Sequence, residues 1–312
     1  MTRARLLIAG ALLSVGCAES LPPPTDPGPL FDRPSTVLPA DLDVAIRLDL
    51  DAARRLFGVN VARSLELGVV DAKEDPATAA LVTDAFAKAK TAWIALRPGL
   101  PARLTDNVLV LRGDFGAFDP SLDPKTRFGV PADLGAGWLS FSRPRPARRS
   151  APARIYVKGG EWIVFVSEAE VDSTARVVER RQIDEHVEPP DRGLVALAAR
   201  TEPLVPMVAE RFPAVADTLR GASLVQASAA ADDRGLKATL EVQFSEETDA
   251  EAAQGRMRKL LEILRASDGV FGILAKGADA TVVGPALVVR ITLDARAFAD
   301  FVGSLSGPSG GS

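Results

Sequence analysis

Cysteine, histidine and tyrosine each occur only once in this chain of 312 residues. A single cysteine excludes an intramolecular disulfide and a cysteine-based metal site. The single histidine, His186, would have to serve as the base of any Ser-His-Asp or Cys-His hydrolase. Catalytic zinc sites typically use two or three histidines, so we interpret the segment "DEHVE" at 184–188 as a solvated linker rather than a cluster of metal ligands. We expect no catalytic residues, no metal and no cofactor.

Long apolar runs and excess basic charge are also scarce. The longest uncharged apolar stretch, 6–16, has eleven residues, whereas a membrane-spanning helix needs about 20. Residues 1–16 hold two arginines and no acid, so without them the formal net charge of −4 becomes −6. A mildly acidic chain without a basic stripe interleaved with aromatics argues against nucleic-acid binding. The phosphate-binding motifs G-x-x-x-x-G-K-[ST] and, after a strand, G-x-G-x-x-G are missing as well.

The strongest signal lies in the first 20 residues. Arg3 and Arg5 precede the apolar run, which ends in small residues, and this is the order of a secretory signal peptide. The run continues as "LSVGC" at 13–17, with a small residue directly before the only cysteine. This pattern resembles the lipobox of bacterial lipoproteins. The resemblance implies that Cys17 receives a diacylglycerol thioether and becomes the N-terminus once 1–16 is removed.

The lipobox resemblance also implies a location. The protein would be exported and anchored by lipid to the bacterial membrane. Ala18 rather than Asp follows Cys17, which in enterobacterial lipoproteins favours the outer membrane. Two or three acyl chains would hold the chain firmly, because each buried methylene contributes about 0.8 kcal/mol and one chain alone is marginal. The alternatives are a plain signal peptide with an incidental cysteine and a redox-active thiol, although redox exchange would need a partner thiol.

Proline and glycine divide the rest of the chain. Six prolines between 17 and 36 predict an extended tether after Cys17. A second cluster of prolines and charges, at 183–193, predicts a boundary within the folded part. The expected organisation is a signal peptide (1–16), a tether (17–36), a first half (37–190), a second half (191–305) and a flexible tail (306–312).

Alternation of apolar and polar residues predicts strands in both halves. Val44, Ile46 and Leu48 alternate with polar or small residues, and Gly159-Gly160 separates two alternating runs, as in a hairpin. Runs of adjacent strands with helices between them favour an α+β fold of antiparallel sheets covered on one face by helices. The "LPAD" at 38–41 is similar to several uncharacterised secreted bacterial families and carries no activity with it.

Helix starts are indicated by capping residues. Asp51 is well placed as the cap of a helix that follows the first strand. Asp75 before Pro76 marks another helix start. Ser167 and Glu170 have the spacing of a capping box, in which each side chain bonds the backbone amide of the other.

A short internal repeat suggests that the two halves are related. "IRLDLDA" at 46–52 and "VRITLDA" at 289–295 share an arginine, a leucine, an aspartate and an alanine. Duplication of one α/β module would explain the match. The alternative is chance, because a strand that runs into a capped helix is common and seven residues are few.

Aromatic residues concentrate in the 23-residue segment 115–137, which lacks clear periodicity. Loops of this length are often functional. Its aromatic residues could line a partner-binding surface, or they could pack an Ω-loop on itself. The candidate residues are Phe115, Phe118 and Phe128, with Trp138 directly after the segment.

Arginines concentrate in "SRPRPARRSAPAR" at 142–154, which contains no acid. On an acidic protein this stretch could contact anionic lipid headgroups or a polyanionic envelope polymer. The alternative is a solvated, proline-stiffened connection between strands. The arginines are Arg143, Arg145, Arg148, Arg149 and Arg154.

The sequence therefore favours a lipid-anchored envelope protein that acts as a non-catalytic binding or structural module. Its expected partners are the membrane, through the N-terminal lipid, and an envelope protein or anionic polymer. The alternatives are an envelope hydrolase that uses carboxylates alone, which would need two facing carboxyl groups, and a carrier of a small molecule or lipid.

Overall fold

The computed structural model describes residues 37–57, 75–98, 106–144, 151–180, 187–267 and 269–306. Within these residues the strands are β1 (Val44–Asp49), β2 (Ala89–Arg97), β3 (Asp106–Gly113), β4 (Ala132–Gly135), β5 (Trp138–Ser142), β6 (Pro152–Lys158), β7 (Trp162–Ser167), β8 (Val195–Arg200), β9 (Leu224–Asp232), β10 (Gly235–Gln243), β11 (Ala278–Val283) and β12 (Ala286–Asp294). The α-helices are α1 (Leu50–Phe57), α2 (Pro76–Lys88), α3 (Val171–Val178), α4 (Thr201–Arg211), α5 (Pro213–Leu219), α6 (Glu247–Arg265), α7 (Val270–Lys276) and α8 (Ala295–Ser306).

The twelve strands form one antiparallel sheet in the order β11-β12-β10-β9-β8-β1-β2-β3-β7-β6-β5-β4. The predicted α+β class and antiparallel pairing are confirmed. Strands β1 and β8 pair at the centre, with Ile46 opposite Leu197. The predicted halves, 37–190 and 191–305, therefore contribute to one shared sheet.

The two sides of the central pair have the same strand order. Outward from the centre, one side runs β1, β2, β3, β7, β6 and the other runs β8, β9, β10, β12, β11. In each half the first three strands are neighbours in sequence order, and the last strand returns beside the third. The first half adds β5 and β4 beyond β6.

The sequence repeat at 46–52 and 289–295 does not follow this strand correspondence. The first copy lies in β1 and α1, whereas the second lies in β12 and α8. The strand order matches β1 with β8 and β12 with β7. The strand order thus supplies an argument for duplication that is independent of the repeat, and duplication stays a prediction.

The cap of α1 is Asp49, so the prediction of Asp51 was wrong. The Ala52 amide donates to Asp49 Oδ1 at 2.8 Å, because the helix begins at Leu50 directly after the strand. Asp51 lies in the first turn and accepts from Arg54 at 3.2 Å. The predicted cap of α2 is confirmed, since Asp75 accepts from the Thr78 amide at 3.1 Å.

Ser167 and Glu170 do not form the predicted capping box. The Ser167 hydroxyl accepts from the Asn107 amide on β3 at 3.0 Å. Glu170 is buried, and its carboxylate accepts from Arg97 Nε at 2.9 Å and from Ser173 Oγ at 2.8 Å. Asn107 and Arg97 are remote in sequence, and the fold brings them to Ser167 and Glu170 in place of the local cap.

Cover by helices on one face, as predicted, is found in the second half, whereas in the first half helices cover both faces of the sheet. Alternate residues of β3 explain this, because Leu109 and Leu111 pack with α2 while Val108 and Val110 pack with α3 and with 37–42. Fully burying one such aliphatic side chain contributes about 1.5–3 kcal/mol. Two apolar faces on one strand therefore require two covering layers.

In the second half the core lies on one face, between the sheet and α4 to α7. The buried side of α6 presents Ala253, Met257 and Leu261 at helical spacing. Alternate residues of β10 that point away from this core, Lys237 and Thr239, are exposed. In the part of the chain described here, no helix has the length and apolar character needed to cross a membrane.

Replacing Glu170 with Gln should lower the free energy of unfolding by about 1–3 kcal/mol, because Arg97 and Ser173 lose a charged acceptor. Urea denaturation at neutral pH measures the change. The matched control is Glu161→Gln, which breaks an ion pair with Arg112 whose side chains are 44% and 51% exposed. We expect that control to stay within about 0.5 kcal/mol of wild type. Equal losses in the two variants would contradict the role assigned to Glu170.

Candidate functional site

Three of the four candidate aromatic residues are buried. Phe115, Phe128 and Trp138 are 5%, 6% and 1% exposed, respectively. Phe115 and Phe128 pack in the core under α2, and Trp138 packs on the opposite face of the sheet. Their burial favours the alternative of a loop packed by its own aromatics.

Phe118 is the partly exposed member of this group. Its ring meets the Phe165 ring edge-on, with the centroids 6.3 Å apart. This contact fixes one side of Phe118 on the sheet and leaves the other toward a groove in the surface. Among the predicted aromatics, Phe118 is therefore the residue available to a ligand.

Two short 3-10 turns, Pro120–Leu122 and Pro124–Thr126, give the loop its shape. Asp119 accepts from the Ser121 amide and Asp123 from the Lys125 amide, each at 2.9 Å. These aspartates act as turn caps. No group of three or more His, Cys, Asp or Glu side chains within the described residues could hold a metal ion.

The groove lies where three loops meet at the end of the sheet, with a volume of about 490 Å³. Leu139 on β5 and Val157 on β6 line it, together with Phe118. Backbone from the loop and from two hairpin turns supplies the other walls. The small lining residues are Gly116, Ala117, Gly135, Ala136, Gly137, Gly159 and Gly160.

The turn at 159–160 can approach the loop because Gly160 has no side chain. A Cβ at Gly160, where φ is +71°, would lie 2.6 Å from the Gly116 carbonyl oxygen. The close approach allows the Phe115 amide to donate to the Gly160 carbonyl at 2.8 Å. The wall of the groove is therefore a hydrogen-bonded backbone contact rather than a set of side chains.

Asp133 is the ionisable residue among those that line the groove. Its Oδ1 accepts from the Gly135 amide at 2.8 Å, and the residue is exposed. The volume falls within the 300–1,000 Å³ typical of ligand sites, which combine apolar walls with a few polar groups. The arrangement suits a small neutral or cationic ligand with an apolar face.

The groove was not predicted from the sequence. The sequence does contain the two turns that form its walls, as Gly-Ala-Gly at 135–137 and Gly-Gly at 159–160, and each of these patterns indicates a turn. Only the sheet order reveals that these turns are adjacent, because β4, β5, β6 and β7 are consecutive neighbours.

Arg143 is buried, with its side chain 3% exposed, and this corrects its assignment to an exposed basic loop. Its Nη1 donates to Asp75 Oδ2 at 2.6 Å and to Thr78 Oγ1 at 2.9 Å. Its Nε donates to the Pro152 carbonyl at 2.6 Å, and its guanidinium lies over the Phe128 ring. Arg143 therefore holds helix, loop and sheet together and is inaccessible to a lipid headgroup.

Arg154 also forms intramolecular contacts. Its Nη1 donates to Glu179 Oε1 at 2.8 Å, and the Tyr156 hydroxyl donates to the same oxygen at 2.8 Å. Burial raises the pKa of the Tyr156 hydroxyl well above its usual range, so that it stays protonated and serves as a donor. Cys17, Arg145, Arg148, Arg149 and His186 lie outside the described residues.

Comparison with known proteins finds solved structures that are similar in fold alone. No family model matches the chain, and no curated protein matches it. The solved structure titled "Structure of crystal form I of TP0453" aligns with a TM-score of 0.53 and 14% identity, covering 88% of this chain and 98% of that one. Crystal form III of TP0453 aligns with a TM-score of 0.51 and 12% identity over the same shares.

The chain shares its fold with TP0453. The alignment spans nearly all of both chains, so the likeness extends to the whole sheet and not to one half. At 14% identity it shows the fold and nothing about a ligand.

Replacing Asp75 with Asn should lower the free energy of unfolding at pH 7 by about 3 kcal/mol, because Arg143 stays buried without an anionic partner. Burial alone would raise the pKa of Asp75. Hydrogen bonds from Arg143 and Thr78 lower it by more than burial raises it, so the pKa lies below its usual range. A lowered pKa stabilises the fold above the unfolded-state pKa, and this stability is lost as the pH falls below about 4.

Urea denaturation at pH 7 and at pH 3 tests this. The difference in free energy of unfolding between wild type and Asp75→Asn should be smaller at pH 3 than at pH 7. The control is Asp84→Asn on the same helix, which breaks an exposed pair with Lys88 and should change stability by about 0.5 kcal/mol or less. A difference that stays constant with pH would refute the assignment.

Proposed function

We propose that this chain is a lipid-anchored protein of the bacterial envelope whose folded domain is a non-catalytic binding module. In this proposal Cys17 carries the lipid, and the tether to residue 36 joins the anchor to the domain. Ala18 favours the outer membrane over the inner one. The groove beside Phe118 is the binding site, and it is the observation that carries the binding role.

The way the tether enters the domain supports an anchored role. Val37, Leu38 and Leu42 are 0%, 3% and 3% exposed and belong to the core on one face of the sheet. Asp41 Oδ2 accepts from Arg97 Nη2 at 3.0 Å, and the same guanidinium binds buried Glu170. The first residues after the tether are therefore fixed to the domain, and an anchor upstream of them would hold the whole domain at the membrane.

The groove supports binding over hydrolysis. Glycoside hydrolysis by carboxylates needs two carboxyl groups that face each other across the substrate. The groove has Asp133, whose carboxylate already caps the turn at Gly135. Buried Glu170 faces Arg97 and Ser173 rather than a second carboxylate. These contacts favour a ligand that is held and not cleaved.

The anchoring part of the proposal predicts that Cys17→Ser abolishes acylation. Cells that express wild type or Cys17→Ser are labelled with a radioactive fatty acid, and their membranes are separated from the soluble fraction. Wild type should be labelled and sediment with membranes, whereas the variant should be unlabelled and soluble. Equal partitioning of the two into the soluble fraction would refute the anchor. Ser14→Ala provides the matched control, because it leaves the cysteine in place.

The binding part predicts a specific contact at the groove. A photo-crosslinking amino acid is placed at Ala117 in the groove wall or, as a control, at exposed Ala252 on α6. Irradiation of living cells should give a discrete adduct from position 117 and none from 252. Adding Phe118→Ala should reduce that adduct several-fold, because it removes the aromatic wall. Equal adducts from both positions would contradict a binding groove.

A further inference from the structure

The free edge of the second half is closed by side chains. Among the described strands, β11 is the last one on this side of the sheet, and it pairs with β12. An edge strand presents backbone amides and carbonyls that another strand could bind. Which of its groups point outward follows from the pairing.

In an antiparallel pair, residues alternate between those that bond the neighbour and those that point away. The Thr292 amide donates to the Gly277 carbonyl at 2.9 Å, so Gly277, Asp279 and Thr281 are directed toward β12. Ala278, Ala280 and Val282 therefore direct their backbone groups to the open edge. A docking strand would need the carbonyls of Ala278 and Ala280 as acceptors.

Those two carbonyls are already bound by side chains of α6. Gln254 Nε2 donates to the Ala280 carbonyl at 2.9 Å, and Arg258 Nη2 donates to the same oxygen at 3.3 Å. Arg265 Nη2 donates to the Ala278 carbonyl at 2.7 Å. Spacings of four and eleven residues place these donors along one side of the helix. We call Gln254, Arg258 and Arg265 the edge guard.

We propose that the edge guard blocks strand pairing at β11, and that the strand it excludes is β11 of a second copy of this chain. The three side chains compete for the acceptors that a partner strand would use. This inference is independent of the function proposed for the groove, which lies at the far end of the sheet.

The sequence of β11 fits a second copy of itself. In an antiparallel pair centred on Ala280, Ala278 lies opposite Val282 of the other copy, and Asp279 lies opposite Thr281. No like charges face each other, and small apolar residues meet on the side that faces α6. Val283, which is 58% exposed, would gain cover from the partner. Such a pair would continue the sheet across both copies.

Sedimentation velocity tests the proposal on the full chain carrying Cys17→Ser. Adding Gln254→Ala, Arg258→Ala and Arg265→Ala should lower the dimer dissociation constant about 100-fold, since three hydrogen bonds no longer compete. The matched control is Arg256→Ala with Lys259→Ala, which removes two exposed cations from the same helix and should leave the dissociation constant at the wild-type value. Circular dichroism melts establish that each variant is folded. If the triple variant is unstable, Arg265→Ala alone should still lower the constant relative to wild type.

Two further variants locate the contact. Val282→Pro removes an outward amide and should return the guard-less chain to a monomer. Asp279→Cys with Thr281→Cys places thiols opposite each other in the centred pair, and mild oxidation should trap a covalent dimer of the guard-less chain. The proposal would be overturned if the guard-less chain, which is the variant with Gln254→Ala, Arg258→Ala and Arg265→Ala, stayed as monomeric as wild type. Association that survives Val282→Pro without a trapped dimer would assign the contact to another surface and overturn it equally.

Discussion

The central pairing of β1 with β8 is the contact on which the rest of the sheet depends. Strand β1 bonds β2 on one side and β8 on the other, so it joins the strands of the first half to those of the second half. Further bonds reinforce the junction, because the Asp49 amide donates to the Leu194 carbonyl at 2.8 Å and the Arg200 amide to the Asp43 carbonyl at 2.8 Å. Without this pair the two halves would each present a bare edge, and both sheets would be exposed to aggregation.

Charged side chains then fix the layers to this sheet. Arg143 bonds a residue 68 positions away, and Arg97 bonds one 73 positions away. Each places a guanidinium against a carboxylate where loop, helix and strand meet. Ion pairs of this kind contribute little at a surface, but they penalise any alternative packing that leaves one partner buried alone.

The same long separations explain what the sequence could and could not predict. The hairpin at Gly159-Gly160 and the cap at Asp75 are confirmed, because each depends on residues within a few positions. Ser167 and Glu170 matched a local rule, yet their partners on β3 and β2 are remote in sequence. Arg143 was grouped with its neighbours by composition, whereas its burial is set by α2. The groove could not be predicted from local patterns, because its prediction depends on two separate glycine turns lying side by side in the sheet.

The position of β1 also affects how the domain resists a pulling force. The segment 37–42 is held in the core and leads directly into this central strand. A pull along β1 would act parallel to the strand and perpendicular to the hydrogen bonds on both its sides. The load would thus be shared in shear by two complete ladders, instead of opening one ladder bond by bond from an edge. Under the anchoring proposed at Cys17, the domain would resist being unravelled by the segment that precedes residue 37.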